Sequence, residues 1–249
     1  MDKLKLEYIK PFGPGILKGE LPKELLKSFK ELSDKVLDEK RKEHNYALAG
    51  KIFDEWKIPE LLYRDYGLAD FLDDAFKAYL KSLHDDMLML RNLQCHEIQL
   101  PEYEFKLKRG DGWINSMKQG EYNPSHVHTN CDLSSIFYLN DYCGDEPIDN
   151  KRDDPWPLDG STTLIGGSQV NGNVLNKRAS GRVEVSPGIP SLAQVDIKPA
   201  TGHFYIFPYW LQHCVWPFKG KGRRITASIN YNYSLTRLPL TGRDIFKGE

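Results

Sequence analysis

The chain has 249 residues, 40% of them hydrophobic and 28% charged, which is ordinary for a globular protein and enough for one large β-rich domain or two small ones. Its 34 Lys and Arg nearly balance 35 Asp and Glu, and a formal charge of −1 gives no reason to expect a nucleic-acid or membrane partner. No apolar run approaches the roughly 20 residues that cross a bilayer, the opening MDKLKLEYIKPFGPG lacks the apolar core of a signal peptide, and Cys95, Cys131, Cys143 and Cys214 form no CxxC pair, so a reduced, cytoplasmic protein is expected.

In chain order, the first 90 or so residues read as helical. Pro22 suits a first helical turn, after which Leu25, Phe29, Leu32 and Val36 recur at helical spacing as far as DEKRKEH. A second such stretch puts Leu72, Phe76, Tyr79, Leu83, Met87 and Leu90 on one face. Both stripes predict helices that bury one side against a core. Residues 1–95 are therefore expected to form a helical N-terminal cap packed on the rest of the chain.

From Glu97 the period changes. EIQLPEYEFKL, GWINSMKQG, SSIFYLN, TTLIGGSQV, RVEVSPG, AQVDIKP, HFYIFPYWLQHCVWPF and RRITASINYNY are short alternating segments bounded by Gly, Pro, Asn and Asp. Many short strands with turn signals between them predict a sandwich or barrel. With helices first and no βαβ alternation, the expected fold is mainly β with N-terminal helices, a jelly-roll core over residues 96–249. The stretch from Gly144 to Gly160, rich in Asp and Pro, reads as a mobile loop.

Within this region YNPSHVHTNCDLSSIFYLN sets His126 and His128 on alternate positions before an apolar strand. A strand sends residues i and i+2 to one face, so both imidazoles can aim at one point, either a metal or an exposed rim. His213 lies in the aromatic segment FPYWLQHCVWPF, where a buried imidazole needs a partner, a hydrogen bond or an ion. Trp113, Phe204, Tyr209 and Trp216 are candidate aromatic walls of such a site or simple sandwich core. Asn115 and Asn230 are candidates for hydrogen bonds to a bound cosubstrate or substrate.

The order HxH, FYLN, FPYWLQHCVWP and then RRITASIN resembles the 2-oxoglutarate/iron(II) oxygenases related to prolyl hydroxylases, of the kind found in marine bacteria and phages. The resemblance covers residues 113–233. It implies a double-stranded β-helix, cupin-like, whose metal ligands are His126, His128 and His213. It implies Arg224 as the basic residue that pairs with the distal carboxylate of 2-oxoglutarate, and Tyr138 as a phenol bonded to that same carboxylate. The activity implied is an Fe(II)- and 2-oxoglutarate-dependent dioxygenase that hydroxylates a peptide or small molecule with release of succinate and CO2. No catalytic residue beyond the metal ligands is implied.

The sequence departs from this family's usual pattern at His128, where most members carry Asp. Asp132 is the substitute carboxylate only if the chain turns at Thr129-Asn130, because four extended residues would set it about 13 Å from His128. Two other readings compete: a three-His cupin enzyme that does not use 2-oxoglutarate, and a non-catalytic jelly-roll binding module.

Local turn chemistry supplies one more expectation. FKGKGRR reads as a hairpin turn centred on Gly220-Lys221, so that Pro217 faces Arg224, Val215 faces Thr226 and His213 faces Ser228. In that register Arg224 and Thr226 share the metal's face, and Arg223 points away.

Overall fold

The computed structural model describes residues 5–9, 15–40, 44, 50–94, 103–140, 159–166, 194–219 and 222–237. Helix α1 (Lys23–Glu39) follows Pro22 and ends on Lys40 in the left-handed conformation, whose N–H donates to the Val36 carbonyl. Its stripe buries Phe29, Leu32 and Val36, as the spacing predicts. After the short α2 (Glu60–Asp65), α3 (Ala69–Gln94) buries Leu72, Phe76 and Tyr79 from its own stripe.

The strands of the second half are β4 (Tyr103–Met117), β5 (Asn123–His126), β6 (Leu133–Tyr138), β7 (Thr162–Ile165), β8 (Gln194–Ile197), β9 (His203–Pro208), β10 (Gln212–Val215) and β11 (Arg224–Arg237). They divide between two antiparallel sheets. β9, β6, β11 and β4 adjoin in the larger sheet, and β5, β10, β7 and β8 form the smaller one. Passing repeatedly from one sheet to the other as the chain proceeds is the topology of a double-stranded β-helix.

Alternation along the strands decides what each sheet face meets. Phe137, Phe204, Ile206, Ala227, Ile229 and Tyr231 pack with Phe29, Leu32, Leu72, Phe76 and Tyr79 between the larger sheet and the helices. Their neighbours Ile136, Tyr138, Tyr205 and Phe207 turn inward and meet Leu164, Ile197 and Leu211 between the sheets. One strand thus serves two cores with opposite faces.

Three features differ from the sequence reading. The N-terminal part is not only helical: β1 (Leu6–Ile9), β2 (Ile16–Glu20) and β3 (Glu55–Lys57) extend the larger sheet, β1 and β2 beyond β9 and β3 beyond β4. These short strands gain their stability from long-range pairing, which local periodicity does not reveal. EYEFKL and GWINSM are one strand rather than two, with an irregularity opposite the Gly110-Asp111-Gly112 segment where β11 passes from Ile229 to Tyr231.

The third difference is the register. β10 and β11 are not a hairpin: they belong to different sheets. His213 lies opposite His126 and Leu164, while Arg224, Thr226 and Ser228 lie opposite Met117, Asn115 and Trp113. Residues 216–218 cross between the sheets, tied by the Trp216 N–H to Ser161, the Gly160 N–H to Pro217 and the Gly120 N–H to Phe218. Buried Phe218 packs there with Ile52 and Met117. The turn residues Gly220 and Lys221, the segment RVEVSPG, His96 and most of the Gly144–Gly160 loop lie outside the described residues.

Residues 51–58 join the two sheets on the β4 side. Lys51 and Tyr122, the residue before β5, exchange both backbone hydrogen bonds, at 2.8 and 3.2 Å. Four residues later β3 pairs with β4, and the ladder is extended by the Ser116 N–H to Asp54 and the Ile58 N–H to Gly112, each 2.8 Å.

Candidate metal centre

His126 ends β5 and His213 sits in β10, directly opposite each other across the ladder. His128 lies two residues further on, beyond the strand, where its N–H donates to the Tyr209 carbonyl at 3.0 Å. The ligand nitrogens of all three lie within 4.8 Å of one another, forming the one such cluster among the described residues.

Backbone carbonyls orient two of these rings. His126 Nδ1 donates to Pro124 O and His213 Nδ1 donates to Leu211 O, each at 2.8 Å. A proton fixed on Nδ1 leaves the Nε2 lone pair facing the cluster, as an ion-ligating histidine requires. His128 Nε2 lies 3.1 Å from His213 Nε2. Two imidazole nitrogens each about 2.1 Å from a common ion, at a right angle, are about 3 Å apart, so the donor set fits a divalent metal.

Burial favours neutral rings, the form that ligates. It lowers His126, with the Pro124 hydrogen bond opposing. Burial, then the neighbouring His126 and His44, brings His128 down to about 3. Burial with the other two rings holds His213 well below its ordinary value.

Asp132 does not complete the set. The chain does turn, with Asn130 in the left-handed region at φ 60°, but the Asp132 carboxylate accepts the Tyr233 N–H at 2.9 Å. Among the described residues the cluster is three imidazoles without a carboxylate.

Arg224 shares the cavity wall with the three histidines, together with Thr226 and Asn115. It is 1% exposed. Its Nε donates to Gly160 O at 2.8 Å, one terminal nitrogen to Thr162 Oγ1 at 3.0 Å and the other to Thr226 Oγ1 at 3.4 Å. Tyr138 stands behind it, its ring 5.2 Å from the guanidinium and its hydroxyl donating to Thr162 Oγ1 at 2.8 Å. Arg223 turns to the other side and donates to Asp54 and Ser116, both at 2.7 Å. The expected division between the two arginines therefore holds, although the register that suggested it does not.

Other expectations fare unevenly. Asn115 borders the cavity, but with its amide oriented to satisfy both ends it donates to Glu55 Oε2 at 2.6 Å and accepts the Trp113 indole N–H at 3.1 Å. Asn230 is buried on the strand beyond Ser228, and its Oδ1 has no hydrogen-bond partner among the described residues. Of the four proposed aromatic walls, Trp113 lines the cavity, whereas Phe204 packs toward the helices, Tyr209 is exposed and Trp216 donates to Thr163.

Several wall residues escaped the sequence reading, among them Thr162, Phe207 and Asn123. Phe207 meets the His213 ring edge-on at 5.1 Å, and strand parity with Tyr205 was the available signal. Asn123 Nδ2 approaches His126 Nε2 at 3.4 Å, for which no sequence signal exists.

Residues 111–230 match the model of a family described as "Putative 2OG-Fe(II) oxygenase". No curated protein sequence matches the chain. Among solved structures, a prolyl-4-hydroxylase from Pseudomonas putida is similar at 13% identity and TM-score 0.47, over 87% of this chain and 91% of that one. HygX from Streptomyces hygroscopicus with iron bound is similar at 15% identity and TM-score 0.46, over 88% and 82%. A viral collagen prolyl hydroxylase from Paramecium Bursaria Chlorella virus-1 is similar at 15% identity and TM-score 0.42, over 84% and 88%.

Proposed function

We infer that this chain, whose residues 111–230 match the oxygenase family model, is an Fe(II)- and 2-oxoglutarate-dependent dioxygenase in which His126, His128 and His213 hold the iron. The observation that carries the assignment of residues is the cavity itself: three imidazoles and one buried guanidinium border the same space. Iron with three protein ligands would retain three positions for other ligands, and when bound with 2-oxoglutarate it would activate O2, the oxidant of the reaction.

The protein's own part is binding and placement. Arg224 sets a buried, planar guanidinium fork on the cavity wall, a charge-assisted partner for a carboxylate. Thr226 lies within reach of that fork, and Tyr138 with Thr162 holds it from behind. Arg224 and Thr226 bind the distal carboxylate of 2-oxoglutarate, and Tyr138 supports Arg224 through Thr162 instead of meeting the carboxylate itself. Phe207 and Trp113 exclude water around the histidines. Residues 1–95 act as a cap that braces the back of the larger sheet rather than as a separate unit, since their helices share its core.

Anaerobic titration of the purified protein with iron(II) and then 2-oxoglutarate tests the function. The expected result is one iron per chain and a weak visible charge-transfer band that grows with the 2-oxo acid. Iron binding with no band would point instead to a three-His enzyme that uses no 2-oxoglutarate, and no iron binding would remove the enzyme reading.

A further inference from the structure

His128 is held differently from the other two histidines. Its Nδ1 makes no hydrogen bond among the described residues, whereas those of His126 and His213 are each bonded to a carbonyl. It also lies past the end of β5, outside the ladder that aligns His126 with His213. Against its ring stands Trp113, nearly parallel at 27° with centroids 5.5 Å apart. On the indole the His44 ring also stacks, at 4.4 Å and 21°.

The indole is itself anchored. Its N–H donates to Asn115, and Asn115 donates to Glu55, directly opposite on β3. Glu55 is 3% exposed on this edge strand. A buried indole N–H needs an acceptor, and an amide between two partners is locked in one orientation. Rotating the indole plane would break this chain of bonds.

We propose that Trp113, fixed through Asn115 by Glu55, is the positioning residue for His128, replacing with a stacked ring the hydrogen bond that the other two ligands receive. The inference rests on the reading that the three histidines hold a metal. It accounts for a buried acid on an edge strand, and it gives Asn115 a task other than binding cosubstrate. Burial pushes the Glu55 carboxyl up to about 7, so both its neutral and ionised forms are accessible, and each offers an acceptor oxygen.

Cobalt(II) binding, read by affinity and by the visible ligand-field spectrum, tests this without turnover. Loss of a partner that orients a ligand costs about 10- to 100-fold in metal affinity. Trp113→Leu is expected to weaken cobalt binding about 10-fold and to change the spectrum as the third imidazole loosens. Glu55→Leu is expected to shift both in the same direction, and Glu55→Gln, which keeps the acceptor, to restore them. His213→Ala serves as the control: if it binds cobalt like the parent protein, or the parent binds none, the metal reading fails and not this one. Where the parent binds cobalt and the control does not, parental affinity and spectrum in Trp113→Leu overturn the proposal. If Trp113→Leu does not fold, the same result in Glu55→Leu overturns it.

Discussion

Arg223 and Arg224 are adjacent in the chain, yet Arg224 is enclosed in the cavity while Arg223 joins Asp54 at the periphery, beside Lys118 and Lys40. The difference in surroundings sets the expected difference in effect. Arg224→Ala is expected to raise the dissociation constant of 2-oxoglutarate by at least about 10-fold, since a charge-assisted pair is lost, with iron stoichiometry unchanged. Arg223→Ala is expected to leave both intact and cost no more than about 1 kcal/mol of stability, because its side chain is 38% exposed and such ion pairs contribute little. Isothermal titration of both variants decides, and the reverse order would dismiss the assignment. At the same scale, Asp132→Ala is expected to retain metal and His128→Asp to retain both iron and some turnover, because Asp132 is bonded to the Tyr233 amide and His128 faces the cluster.

At the scale of single elements, the β5–β6 connection turns on Asn130, whose φ of 60° only Gly, Asn and Asp adopt readily. This turn leaves His128 beside the smaller sheet while Leu133 enters the larger one. Asn130→Val is expected to lower stability by about 1–2 kcal/mol and Asn130→Gly to be nearly neutral, measured as denaturant midpoints. Equal midpoints would mean the turn relaxes. The elements also show what was legible in the sequence. The two helical stripes and the strands around Phe137, Tyr205 and Ala227 follow from periods of 3.6 and 2, because each buries a face; the meeting of His126 and His128 does not, since His128 lies beyond the end of β5. The pairing of β10 was not legible: a Gly-Lys-Gly turn promises a hairpin locally, but the apolar anchor Phe218 and its hydrogen bond to Gly120 carry the chain to the other sheet. The role of Glu55 was equally hidden, since its partner lies 60 residues away on β4.

For the molecule as a whole, buried titratable groups set opposing trends with pH. His126, His128 and His213 are lowered in the folded state, so their contribution is complete above the unfolded value near 6.5 and is lost as pH falls below it. Glu55 is raised to about 7. Its contribution is complete below the unfolded value near 4.5 and is lost as pH rises through about 7. Between about pH 5 and 6.5 three groups oppose one, and unfolding takes up at least about one net proton. The metal-free protein is therefore expected to lose on the order of 1 kcal/mol per pH unit on acidification through this range, with Glu55→Gln making the fall steeper. Thermal melts in chelator-treated buffers check this. A melting temperature that holds or rises from pH 6.5 to 5 would mean the imidazoles accept protons without unfolding.

The span from Lys51 to Ile58 has a kinetic corollary. A three-residue strand at a sheet's edge ordinarily frays, opening many times faster than the core beside it. This one is bolted at one end to Tyr122 and along the other to β4, so it can open only if both sheets release it. Amide deuterium exchange at Lys51, Ser116 and Ile58 is accordingly expected to be as slow as in the central strands β6 and β11. Glu55 would then sit in one of the stillest parts of the protein rather than at a loose margin.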